Sequence, residues 1–299
     1  MSSLSPYITP EVLLAAPTGI DWSTIPSLDA SPAAQLAEQT RICWRVTDRI
    51  DSYCNQALRA TINTETILGP HLRLTVTNQG NASALCSRWP VLSIVSANYV
   101  PRGAPATTPL VIPSNMLSIR HSGLADFGTT IQGAAGAGPA WVDIAPGFID
   151  WSLGRNGWYL NLTYVNGWPH AGLTAAVVEG ATTLEVDDCT GWAGARGLIK
   201  DGQNMEYVSV TTASTTAGPG TLTLSAPTQY AHSAGVLVST LPNTVEWAAI
   251  LFATAEALTR GGTATTIAEM PGAAVAGGKS TEDLLVEAEA ELSPYRRIL

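Results

Sequence analysis

The segment 31-SPAAQLAEQTRICWRVTDRIDSYCNQALRAT-61 contains no glycine and, after Pro32, no proline. Ser31 ahead of Pro32 is the chemistry of a helix start: a side-chain oxygen to cap the first free amides, then a residue whose missing N–H costs nothing there. With nothing to stop it, the pattern predicts one helix from Ser31 to Thr61, roughly 30 residues and ~45 Å long. Leu36, Cys43, Ile50 and Ala57 recur every seven residues, with Val46, Tyr53 and Cys54 on the same side. Glu38, Arg41, Arg45, Arg49, Gln56 and Arg59 take the other side. Helical spacing puts Arg41, Arg45 and Arg49 in one row. Such a row contacts phosphate or an acidic neighbour, or forms a solvated or intersubunit face neutralised by Glu38, Asp48 and Asp51. A helix of that length exceeds the needs of a small domain and invites packing against other long helices, from this chain or its copies.

Upstream, Thr9, Pro10 and Glu11 open a short helix over Val12 to Ala16 that Pro17 and Gly19 end. Downstream the period changes. Leu72–Val76, Trp89–Val95 and Trp158–Val165 alternate as strands do, with turn residues at Asn78–Asn81 and Asn166-Gly167 and a loop at Gly133–Pro139. From Ala175 to about 240, short runs at Thr182–Val186, Gly197–Ile199, Met205–Val210, Thr221–Leu224 and Val236–Ser239 predict a small antiparallel sheet or barrel. Helix returns at Pro242 and Asn243. Val245 to Thr259 is apolar on nearly every side and must be buried, with Gly261-Gly262 as its stop. Residues 263–278 read as a linker or arm, and Thr281 to Leu292 as a last acidic amphipathic helix before Ser293-Pro294-Tyr295-Arg296-Arg297.

Composition excludes more than it assigns. The 299 residues carry 15 basic and 24 acidic side chains, a formal −9, and 13% are charged against about 25% in ordinary domains. With 45% hydrophobic residues the chain is not disordered throughout. No dense basic run supports sequence reading of DNA. Negative charge is densest over residues 246–299. Met1 to Pro10 lacks the pattern of a signal peptide. Val245 to Leu258 is too short for a membrane helix, which needs about 20 residues. Cys43, Cys54, Cys86 and Cys189 form no CxxC pair. On one helix Cys43 and Cys54 would stand ~16 Å apart, too far to bridge, so free buried thiols are expected.

Candidate chemistry is sparse. Gly278-Lys279-Ser280 ends like a phosphate-binding loop, but Ala273 stands where the first glycine belongs and no strand precedes it. No GxSxG occurs. His71, His121, His170 and His232 are widely spaced and read as polar turn or satisfied surface residues. Glu185, Asp187, Asp188, Asp201 and Glu206 make an acidic cluster without the EF-hand rhythm, better suited to turn hydrogen bonds. Trp141, Trp151, Trp158, Trp168 and Trp192 plug a β-rich core, meet a protein partner or form a ligand platform. No metal or other cofactor is expected.

Organisation carries what the motifs do not. Tyr7-Ile8-Thr9-Pro10-Glu11-Val12-Leu13, Ala16-Pro17-Thr18-Gly19-Ile20-Asp21-Trp22 and the helix leading to Ile50-Asp51-Ser52-Tyr53-Cys54-Asn55-Gln56 resemble the N-terminal region of head-tail connector (adaptor, head-completion) proteins of long-tailed bacteriophages. Tyr164-Val165-Asn166-Gly167-Trp168-Pro169, Ala231-His232-Ser233-Ala234-Gly235 and Leu241-Pro242-Asn243-Thr244-Val245 are similar to the versions with a β insertion. The resemblance implies an α+β fold: a long-helix connector body with a large antiparallel β insertion and a C-terminal helical arm. Its parts would be a helical N-terminal part (1–64), a β-rich insertion (65–174), a small antiparallel β unit (175–240), a buried helix (241–262), and a linker with a portal-docking arm (263–299).

The resemblance further implies a non-enzymatic structural virion protein, made in the host cytoplasm. It would form a homo-oligomeric ring, commonly a dodecamer, in the phage neck between the portal and a tail-side neck or tail terminator protein. Genomic DNA would pass through the channel without sequence-specific binding, and no membrane is involved. Leu284, Leu285, Tyr295, Arg296 and Arg297 would dock to the portal; Arg41, Arg45, Arg49, Trp247 and Phe252 would lie at subunit interfaces. The alternative is a carbohydrate- or receptor-binding β module with the tryptophans as its platform.

Overall fold

Antiparallel sheet outweighs helix among the residues the structure describes. The computed structural model describes residues 4–25, 31–69, 74–76, 82–101, 109–121, 140–145, 158–260 and 280–297. Among them are four α-helices and fourteen strands, the strands arranged in three antiparallel sheets. A long-helix connector body is therefore not what forms.

The decisive departure is at the segment 31–61. Its helix, α2 (Pro32–Cys54), has 23 residues. Ser31 caps it by accepting the Ala34 amide, as expected. It ends at Asn55, whose φ of 54° and ψ of 28° are left-handed and whose N–H returns to the Asp51 and Ser52 carbonyls. Asparagine tolerates that conformation almost as glycine does, so no glycine was needed as a stop. The chain then runs into β1 (Thr61–Gly69), which pairs with β8 (Trp158–Asn166). Cys43, Val46, Ile50 and Cys54 are buried as expected, but Glu38 of the opposite side is buried too, and Leu36 is exposed.

The first sheet has the order β1-β8-β4-β5, with β4 (Val91–Pro101) and β5 (Leu110–Val111). The second is β2-β3-β7-β6, formed by Leu74–Val76, Ala82–Leu85, Ala140–Ile144 and Leu117–His121 respectively. Alternating residues of both, including Ile67, Ala84, Val142, Leu160 and Tyr164, close on one shared core. The period of two thus delivers one apolar face from each sheet. The expected turn at Asn78–Asn81 and loop at Gly133–Pro139 lie outside the described residues.

The third sheet comprises β9 (His170–Gly172), β10 (Thr183–Val186), β11 (Arg196–Lys200), β12 (Glu206–Ala213), β13 (Gly220–Leu224) and β14 (Leu237–Ser239), in the order β10-β13-β12-β11-β14-β9. It curls until its edges meet. Leu173, just past β9, bridges Val186 of β10, and the Asp187 N–H donates to the Gly172 carbonyl at 3.0 Å. Trp192, fully buried, fills the interior with Leu184, Ile199, Leu222 and Val238.

The helices form a separate core around α3 (Asn243–Thr259). With Ala248 to Ala255 buried without interruption, α3 is surrounded as its sequence requires. α1 (Pro10–Ala15), α2 and α4 (Thr281–Leu292) pack around it. A capping box between Ser280 and Asp283 starts α4. Its Leu284, Ala288 and Leu292, and Tyr295 beyond it, are buried in this core. Within the described residues the predicted arm is therefore part of the body; residues 261–279, which include the predicted linker 263–278, lie outside them.

Candidate functional site

Among the described residues, two places bring a histidine together with other reactive side chains, and in both the histidine is buried. Ser239 Oγ lies 2.9 Å from His170 Nδ1, while His170 Nε2 lies 2.8 Å from the Pro6 carbonyl. A carbonyl only accepts, so Nε2 carries the proton and Nδ1 accepts from the Ser239 hydroxyl. Burial brings the imidazole down to about 3, so it stays neutral. The third group is a carbonyl and not a carboxylate, and both side chains are buried. This pair lacks the charge and access that nucleophilic chemistry needs. At the other place, His232 Nδ1 is 2.9 Å from Asp201 and its Nε2 2.7 Å from Glu206. Glu206 also accepts the Gln229 and Tyr230 amides, and these bonds hold its carboxyl below the usual range although burial works the other way. Here a histidine ties two loops of the barrel together. Both histidines are satisfied, as read from the sequence, but they are buried and not at the surface.

The two aspartates that follow β10 are likewise occupied. Asp187 accepts from Gly172 N–H and from the Ser5 hydroxyl, and Asp188 accepts from Thr190 and Gly218 N–H. Among the described residues no group of three or more His, Cys, Asp or Glu side chains is arranged to hold a metal ion. An apolar groove of about 550 Å³ between β4 and β6 is lined by Leu92, Ile94, Val111, Ile112, Leu117 and Ile119 among others, with no ionisable side chain among the described residues that line it. All four cysteines are buried and free. Among the described residues, no helix is long and apolar enough to cross a membrane.

The surface of the helical core is more informative. Glu38, almost buried on α2, accepts from Arg41 at 3.0 Å and Arg45 at 2.9 Å, and pairs with Arg260 at the end of α3. Burial works to raise the Glu38 carboxyl, but the three guanidinium groups outweigh it and bring it down to about 2. Arg45 also reaches Glu256 of α3 at 2.7 Å. Arg49 stacks over Phe252, 4.5 Å from the ring centre. Of the predicted interface residues, then, Arg45, Arg49 and the buried Phe252 fasten α2 to α3, Arg41 projects outward, and Trp247 is partly exposed. Sequence reasoning missed Glu256 and Arg260 as partners, because nothing local pairs residues more than 200 positions apart.

The predicted docking residues divide in the same way. Leu284 and Tyr295 are buried in the chain's own core and Leu285 packs against it. Trp168 meets Tyr295 edge to face, with 5.4 Å between ring centres. Arg296 is exposed and lies over Tyr53, and the Arg297 N–H donates to the Cys54 carbonyl at 2.8 Å. Of the tryptophans proposed as a platform, Trp168 and Trp192 are core residues, and Trp141 is half-buried under Arg120. Trp151 and the Trp158 side chain lie outside the described residues.

Tyr7 joins these parts. Its N–H donates to Thr47 at 3.0 Å, and its hydroxyl donates to Asp51 while accepting the Leu58 and Arg59 amides at 2.9 and 3.2 Å. Burial, reinforced by the Asp51 carboxylate, pushes the phenol well above its usual range. Compared with protein-family models, curated proteins and solved structures, the chain matches none.

Proposed function

We propose that this chain is a structural protein of a long-tailed phage virion, forming a ring in the neck between portal and tail and lengthening the channel through which the genome passes. The observation that carries the reading is where the segments bearing the resemblance end up. Tyr7, Ile8, Leu13 and Trp22, then Ile50 and Cys54, then Trp168, and finally Leu241 and Val245 come from four separated stretches, yet share one core. Most of the segments that carry the likeness thus meet in one packed unit, while Tyr164 lies in the core of the first two sheets and Ala231–Gly235 between β13 and β14 of the third. The ionisable clusters described above all hold elements together, which suits a building block. Contact with the portal falls to the basic pair Arg296 and Arg297, since Leu284 and Tyr295 are occupied within the chain.

Negative-stain micrographs of the purified protein, followed by co-sedimentation with the portal of the same virus, test this. Closed rings that bind the portal, with binding weakened at least tenfold by Arg296→Glu/Arg297→Glu, are expected. A monomer that ignores the portal overturns the proposal. The glycan-binding alternative has lost Trp168 as a platform residue, because that ring is buried.

A further inference from the structure

The helical core turns two unlike faces to solvent. On α2 the side opposite the buried row carries Ala37, Arg41, Asp48 and Ser52, all exposed, with Arg45 and Arg49 along one flank. Trp44 lies on the other flank, half-buried and outside the set of residues that pack into the helical core. Tryptophan and arginine are the side chains that most often anchor protein contacts. On α4 the outward side carries Glu282, Asp283, Val286 and Ala290, with Glu287 and Glu289 beside them. The helix has five acidic residues and no basic one, and Val286 at its centre is 63% exposed.

From these faces we infer that the outward side of α2 binds the outward side of α4 from a second copy of this chain. Each face points away from the core its helix helps to form, so the two cannot meet within one molecule. They are complementary. Trp44 has a small apolar seat in Val286 and Ala290, and Arg41, the member of the row that projects outward, meets the carboxylates beside it. Their lengths match as well: a 12-residue helix is ~18 Å long and the row from Ala37 to Ser52 ~22 Å. Because the two patches differ, the contact is heterologous and runs head to tail, closing a ring when the rotation per copy divides a circle. This inference deepens the ring reading and rests on it.

Native mass measurement of the full chain and two variants provides the test. Ala37→Glu/Ser52→Glu places acid on the α2 face and leaves the arginines around Glu38 in place, and Val286→Arg places a base on the α4 face. The substituted positions are exposed, and circular dichroism checks that the fold is kept. The wild type is expected as a closed oligomer and each variant alone as a monomer. An equimolar mixture of the two should give only one-to-one dimers, since each variant retains one sound face. Oligomers unchanged in both variants overturn this assignment of faces and leave the ring standing. A monomeric wild type at micromolar concentration overturns both.

Discussion

Glu38 accounts for much of how α2 is held. Its carboxyl titrates at about 2 in the folded chain against an ordinary 4.5. A lowered carboxyl stabilises the fold above its unfolded value, so the contribution is complete above pH 4.5 and is lost as the pH falls from there towards 2. Because the partner arginines are partly exposed, the net value is on the order of 1–2 kcal/mol. Glu38→Gln should lower the urea midpoint at pH 7 and cost almost nothing at pH 2.5; an equal loss at both would overturn the charge argument. His170 gives a slope of its own. Folded it titrates at about 3 against 6.5, so the unfolded chain takes a proton that the folded one refuses. Its contribution is complete above pH 6.5 and declines by up to about 1.4 kcal/mol per unit below it. His170→Gln should flatten the stability profile between pH 6.5 and 4, measured by urea titration, beyond any uniform offset. Gly167 is held by geometry. With φ of 94°, a Cβ there would lie 2.4 Å from the Arg59 carbonyl oxygen. Gly167→Ala is therefore expected to cost more than 2 kcal/mol in thermal unfolding.

Elements whose boundaries are set by their own residues were legible. Pro242 and Asn243 announce α3, and the structure has α4 over Thr281–Leu292 as read. β10 falls inside the run Thr182–Val186, and β13, over Gly220–Leu224, exceeds the run Thr221–Leu224 by one residue. What was not legible depends on partners distant in sequence. Asn55 ends α2 because Tyr7 and Asp51 receive the amides that follow, and no local rule brings Tyr7 there. In the same way, the acidic pattern of α4 reads as an arm until Cys54, Tyr53 and α3 are seen to surround it. Leu292 shows the difference. As an arm residue it would tolerate truncation; as a core residue, Leu292→Ala should cost about 2–5 kcal/mol. Calorimetry of the variant decides, and an unchanged melting temperature would restore the arm.

At the scale of the molecule, three cores are joined by polar links that include Lys200 of β11 with Glu246 of α3, His170 of β9 with the Pro6 carbonyl, and the Trp89 N–H, just ahead of β4, donating to Gln56 at 3.4 Å. Composition anticipated none of this arrangement, only its raw material. Low charge and many apolar residues reflect three separate interiors to fill, not a long helical stack. The helical core draws on residue 7 at one end and residue 295 at the other, whereas the curled sheet is complete within 170–239. On a ribosome the sheet can therefore close soon after Ser239 emerges, while α1 and α2 must wait, their apolar sides uncovered, until Tyr295 has been made. Hydrogen-exchange labelling of stalled nascent chains ending near residue 275 should find the amides of β11 and β12 protected and those of α2 open. During that interval the newborn chain depends on a holding chaperone more than its final stability would suggest.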